Sequence, residues 1–162
     1  MLKNAEAVFK KITQGVYVIS VTDGKQRNAF TAAWVMQVSF DPLLICFSIN
    51  PNHHSYQLLQ QGDVCCISVL DNEQFVEADH FGKSNIKDKM ADFQWIETET
   101  GAPALADSLA YFDCHVDHYS EAGDHKIVVC NVLDAVILND GEPMLYSSTD
   151  DMDGSAELYE KD

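Results

Sequence analysis

Six histidines and 26 acidic side chains make a metal site the first chemistry to test. The histidine groupings are His53-His54 and His115 with His118. His115 and His118 lie three apart on a predicted strand and so face opposite ways, and no cysteine pair has the C-x₂-C spacing of a zinc site. The sequence predicts loop or surface histidines and no metal. It also lacks a G-x-S-x-G elbow, a P-loop and a G-x-G-x-x-G turn, so nothing local supports a nucleophile elbow, nucleotide hydrolysis or Rossmann-type binding.

Four other features carry more chemistry. The stretch NAFTAAWVMQVSFDP, residues 28–42, looks like a buried strand yet clusters small and hydroxyl residues, Ala29, Thr31, Ala32 and Ala33, ahead of a turn at Asp41-Pro42. Small side chains let a ligand approach the backbone closely. His54, Ser55 and Tyr56 open a predicted helix, where free N–H groups and hydroxyls can hold a phosphate. Lys83, Lys87 and Lys89 form the densest basic group in the chain, and His125 follows Gly123-Asp124 at the mouth of a late strand.

The elements that must position these residues follow from periodicity. Ala5, Val8, Phe9 and Ile12 at helical spacing predict a short amphipathic helix over residues 3–12, ended by Gly15. Then come short runs rich in β-branched and aromatic residues: GVYVISVT, residues 35–40, LLICFSI, VCCISVL, AYFDCHVDHY, KIVVCNVLDAVIL and PMLYSS. They are separated by DGK, DP, GD, EAGD and NDGE, the rhythm of a β-barrel or sandwich. HSYQLLQQ and NEQFVEADHF, the latter with Asn72 as a candidate N-cap, read as helices over the barrel ends or between strands. Alternation in AYFDCHVDHY predicts Phe112, Cys114, Val116 and His118 on one face and Asp113, His115, Asp117 and Tyr119 on the other. Residues 1–148 read as one all-β domain with a few short helices, and residues 149–162 as an acidic, mobile or loosely docked tail.

Bulk properties exclude several partners. A net charge of -16 on 162 residues repels phosphate backbones and anionic headgroups, which argues against nucleic acid and membrane surfaces. No stretch reads as a signal peptide or a membrane span, so the chain is expected to be soluble and cytoplasmic. The five cysteines sit in apolar runs and read as reduced core residues.

Taken together, the ordered segments GVYVISVTDGKQRNAFTAAWVMQVSFDPLLICFSINPNHHSYQLL, FVEADHFG, GAPALADSLAYFDCHVDHYSEAGDHKIVVCNVLDAVI and EPMLY resemble the flavin reductase-like, FMN-binding split-barrel family. Gly101-Ala102-Pro103 through Cys114 and Gly123-Asp124-His125 also resemble the flavin reductase-like domain of flavodiiron proteins, although the diiron and flavodoxin parts have no counterpart here. The resemblance implies a Greek-key split β-barrel, FMN as cofactor, NAD(P)H as cosubstrate and a homodimer, with a redox protein as a further partner.

It also implies site roles. Asn28, Ala29, Thr31, Ala32, Ala33 and Trp34 would line the flavin ring, their backbone N–H groups meeting its pyrimidine edge, where negative charge accumulates on reduction. Ser48, Ile49, Asn50, His54, Ser55 and Tyr56 would take the ribityl and phosphate, Phe81 would flank the site, and Lys83, Lys87 and Lys89 would supply positive charge. His125 would orient the nicotinamide or tune the flavin. Two departures stand out: Asp41-Pro42-Leu43 where many relatives have two prolines, and Ser147-Ser148-Thr149 after Tyr146 where relatives often have a glycine and an aromatic. The second weakens the nicotinamide side and keeps open an FMN electron carrier reduced by a protein partner. A haem-binding or cofactor-free interaction module is a further alternative.

Overall fold

The computed structural model describes residues 4–159. Seven strands form one antiparallel sheet: β1 (Tyr17–Thr22), β2 (Arg27–Ala32), β3 (Val35–Phe40), β4 (Leu43–Ile49), β5 (Val64–Val69), β8 (Ala110–Ala122) and β9 (His125–Ile137). A second sheet pairs the two-residue strands β6 (Trp95–Ile96) and β7 (Ala104–Leu105). The large sheet has the order β2-β1-β5-β8-β9-β4-β3. Its two edges are thus consecutive in the chain, joined only by Ala33-Trp34, so the sheet must curl until its edges meet at that corner. One interior results, filled by Ile19, Val21, Phe30, Phe47, Ile67 and Val128 from five strands. This is the split barrel that the sequence implied.

Residues 28–42 are therefore two strands and not one, turning at Ala33-Trp34. Alternation along β2 turns Phe30 and Ala32 towards the barrel interior and Ala29 and Thr31 towards α3 (Phe75–Gly82). Ala29 is fully buried there with Val18, Ala78 and Phe81.

The helix α2 (His54–Gly62) closes one barrel end with Tyr56, Leu58 and Leu59. At Gly62 an added Cβ would lie 1.8 Å from the carbonyl oxygen of Thr22, so only glycine lets the helix end this close to β1.

Four expectations are corrected. The first helix spans only Ala5–Phe9 and buries none of its residues, and Lys3 lies outside the described residues. α3 is preceded by Gln74, not capped by Asn72. PMLYSS forms isolated bridges at Pro143 and Leu145 and then a 3₁₀ turn over Tyr146–Ser148. In β8 the predicted alternation holds through Phe112, Cys114 and Val116 and is then broken by a bulge between Val116 and His118, whose extra residue is Asp117; the other register shift, opposite Asp113/Cys114, puts its extra residue, Leu133, in β9. Asp113 is buried, its carboxylate accepting from Thr100 Oγ1 and N, and Tyr119 joins the barrel interior beside Val116 while His118 faces out. The residue added to β8 inverts the side chains beyond it.

Cys65, Cys66, Cys114 and Cys130 are free and buried, as expected of reduced core residues, and Cys46 is half-buried. Residues 149–159, expected to be mobile or loosely docked, fold back over the barrel mouth and end in a 3₁₀ turn, Ser155–Tyr159. Residues 160–162 of that tail lie outside the described residues.

Candidate functional site

The corner between β2 and β3 opens onto a cavity of about 290 Å³. Thr31, Ala32, Ala33 and Trp34 form one side, Ser48, Ile49 and Asn50 at the end of β4 another, and Phe81 and His125 complete the predicted set. Ala33 and Trp34 lie outside both strand ladders, while the Trp34 carbonyl accepts from Ser48 N at 3.1 Å and fixes the corner against β4. Thr31 Oγ1 donates to the Ala78 carbonyl at 2.7 Å, which ties the same corner to α3. Of the small residues at the corner only Ala33 lies where the backbone is free of a strand partner; Thr31 and Ala32 pair with Val18 and Tyr17 of β1.

His125 enters from a two-residue hairpin, Ala122 pairing with His125 across Gly123-Asp124. Gly123 has φ 67, a conformation that glycine takes without strain at the first central position of a tight β-turn. The ring of His125 lies 5.1 Å from that of Trp34, and its Nδ1 donates to Asp124 Oδ1 at 2.8 Å. That bond orients the ring and holds the Asp124 carboxyl below its ordinary range.

A second cleft, about 930 Å³, adjoins the first through His53, which lines both. It gathers Asn28, His54, Lys87 and Lys89 of the predicted set, with Arg27 and Asn52. Three of the chain's 10 basic side chains therefore face one cleft of an acidic protein. Arg27 is paired with Glu97 at 2.9 Å. Lys89 is only 5% exposed, and among the described residues its ammonium donates to one neutral acceptor, the Phe81 carbonyl, at 3.0 Å. Burial pushes its pKa down. A desolvated cation with a single neutral partner has donors left for an anion.

The start of α2 differs from the sequence reading. His53 is the N-cap, its Nδ1 accepting from Ser55 N at 3.2 Å. Burial, then the charges of Lys89 and His54, hold its pKa below the ordinary 6.5, which keeps Nδ1 free to accept. Ser55 is fully buried and its hydroxyl accepts from Asn28 Nδ2 at 3.0 Å. Tyr56 packs in the barrel interior, edge-on to Tyr119.

Several expected contacts are thus corrected. Ala29, Ser55 and Tyr56 line neither cavity, because strand alternation and the first helical turn direct them inward. Lys83 stands apart from Lys87 and Lys89, paired with Asp79 at 2.5 Å beside a cavity of about 250 Å³ that shares Thr31, Ala32, Ala33 and Tyr146 with the corner cavity. Phe30, His53, Gly82, Tyr146, Asp153, Ser155 and Leu158 line the first cavity and were not anticipated. Phe30 and His53 had a signal: an aromatic between the small residues of β2 and a polar residue two before Ser55.

A family described as flavin reductase like domain matches residues 9–154. The chain is 34% identical to a high molecular weight rubredoxin of Moorella thermoacetica over 84% of this chain and 61% of that protein. It is 34% identical to an FMN reductase (NADH) of Agrobacterium fabrum over 79% of this chain and 75% of that one. A diflavin flavoprotein of Nostoc sp. is 30% identical over 81% of this chain, which covers only 23% of that relative. Among solved structures, a Streptomyces globisporus NADH:FAD oxidoreductase superposes with a TM-score of 0.82 at 29% identity, covering 89% of this chain and 87% of its own. The chain therefore spans under two thirds of the rubredoxin and under a quarter of the diflavin protein.

Proposed function

The chain belongs to the flavin reductase-like domain family, and from that premise we propose that it is an NAD(P)H-dependent flavin reductase that binds FMN across the two adjoining cavities. The observation that carries this reading is the pairing of a small-residue corner with a basic cleft through one shared histidine. The bound flavin supplies hydride acceptance from a reduced nicotinamide and onward transfer of the electrons.

The residues present fit such a group. Ala32 and Ala33 leave the corner open, and Trp34, Phe81 and Ile49 offer flat or apolar surface for a ring. Backbone N–H groups at the corner meet the ring edge where charge accumulates on reduction. Ser48 and Asn50 face the ribityl chain. Asn28, His54, Lys87 and Lys89 hold the phosphate, Lys89 because its ammonium gains a charged partner. His125, oriented by Asp124, presents its ring beside Trp34 to orient a nicotinamide; no proton need pass through it.

A homodimer is part of this proposal. The edge strand β3 exposes Met36, Val38 and Phe40 at 61%, 42% and 88%, and Leu43, opposite Phe40, extends the apolar surface. An uncovered apolar edge is a pairing surface. A redox protein acceptor is included on the same footing, since relatives carry this domain beside other redox modules by name. No helix among the described residues is long and apolar enough to cross a membrane; a cytoplasmic location is part of the proposal.

FMN titration followed by flavin fluorescence, with NADH and NADPH oxidation assayed in parallel, tests the function. Saturable FMN binding and FMN-dependent oxidation of one nicotinamide are expected. Binding without oxidation would favour the electron carrier, and no binding would leave only the interaction module.

A further inference from the structure

Asp153, Ser155 and Leu158 line the corner cavity although they belong to the C-terminal stretch, which otherwise has no part in the barrel. That stretch hangs on few contacts. The Tyr146 hydroxyl donates to Asp153 Oδ2 at 2.8 Å and lies 2.9 Å from Ser155 Oγ. Further out, Tyr159 meets Phe9 with ring centroids 6.1 Å apart. None of Ser155–Tyr159 is buried, and neither is any residue of the helix Ala5–Phe9 beneath it. A cavity of about 390 Å³, lined in part by Phe9, Ile12, Trp34 and Tyr159, lies under the segment, so it is not packed down on the barrel. Asp150 at φ 52 and Gly154 at φ 66 mark two sharp bends in it.

We propose that residues 150–159 are a gate on the flavin cavity, latched by the Tyr146 hydroxyl and opened to admit the hydride donor. This rests on the flavin reading. As it stands the corner cavity is at the small end of the roughly 300–1,000 Å³ of ordinary ligand sites. Hydride transfer brings two rings face to face at about 3–3.5 Å, which needs room for a second ring. The gate carries Asp150, Asp151, Asp153 and Glu157, of which Asp153 lines the cavity, so the closed form repels an anionic donor. Segments with few buried contacts open at low free energy, and this wall is such a segment.

The test uses the full chain loaded with FMN, as wild type, Tyr146→Phe and Tyr159→Ala. The first substitution removes the latch and the second unhooks the far end without touching the corner cavity. Anaerobic mixing with NADH over a range of concentrations gives the second-order rate of flavin reduction, and dithionite serves as a small reductant that passes a closed gate. Loss of a hydrogen bond of this kind should raise the NADH rate about fivefold in Tyr146→Phe, with a rise in Tyr159→Ala, with the dithionite rate unchanged in both and with FMN affinity unchanged in Tyr159→Ala, whose side chain lies outside the corner cavity. An unchanged NADH rate, or a dithionite rate that rises in parallel, overturns the gate. FMN binding with no reduction by NADH in any of the three proteins also overturns it and leaves the flavin site standing. Absence of FMN binding in the wild type overturns both.

Discussion

The corner cavity has two unlike walls. The strand-built wall, from Thr31 to Trp34 and Ser48 to Asn50, is tied to β4 through Ser48 N and the Trp34 carbonyl and to α3 through Thr31 Oγ1, and it backs onto a filled interior. The C-terminal wall buries none of Ser155–Tyr159 and is held at the cavity through one tyrosine hydroxyl. A site that must hold one ring and exchange another needs both kinds of wall: a rigid bed fixes geometry, and a loosely held face lets the partner in.

Hydrogen exchange should separate the walls most widely. Amides of β1 and β4 are expected to exchange only on global opening, and those of residues 151–159 by local opening, about a thousandfold or more faster. Equal protection of the two would erase the comparison.

Thr31→Trp strikes the rigid wall. The indole has no space between Ala78 and the cavity, so FMN affinity should fall roughly a hundredfold, as expected of overpacking that the site cannot relax, with the fold retained. Stoichiometric FMN in this variant, read by absorbance with circular dichroism as the folding check, would show that the ring lies elsewhere.

Lys89→Met keeps the stem and removes the buried charge. Loss of a charge-assisted hydrogen bond should weaken FMN by roughly 10- to 100-fold and leave riboflavin, which lacks the phosphate, nearly unaffected. Parallel losses for both ligands would mean that Lys89 acts only by bonding the Phe81 carbonyl.

The smallest effect is a pH dependence at His53. Its folded pKa is depressed, chiefly by burial, so the native state favours the neutral ring. The stability this contributes is present above the ordinary value of 6.5 and is lost as pH falls through the lower folded value. His53→Asn keeps a side-chain acceptor at the N-cap without a titrating group. The urea midpoint of the wild type should therefore drop more steeply below pH 6.5 than that of the variant, and parallel curves would remove His53 from the account.

The sequence exposed much of the rigid wall and little of the other. Runs such as LLICFSI and KIVVCNVLDAVIL are long and β-branched enough to be read directly as strands. The start of β3 at Val35 is legible in the sequence, but β2 is not, because its small residues blur the period and no glycine or proline marks the corner. Ala29 was misplaced because a cluster of small residues says nothing about which of them face the cavity; alternation decides that once the register is known. The bulge at Asp117 in β8 leaves no compositional trace, so alternation alone sets Tyr119 on the wrong face. β6 and β7, two residues each, are too short to show a period. The C-terminal wall was read as tail because TDDMDGSAELYEKD has little to bury, and its weak attachment follows from that same composition.

The most direct test of the central claim is anaerobic rapid mixing of the FMN-loaded wild-type protein with NADH, and separately NADPH, followed at the flavin's visible band. The account predicts rapid bleaching by at least one nicotinamide, saturating with its concentration. A spectrum that stays oxidised with both, while dithionite bleaches it at once, would contradict it.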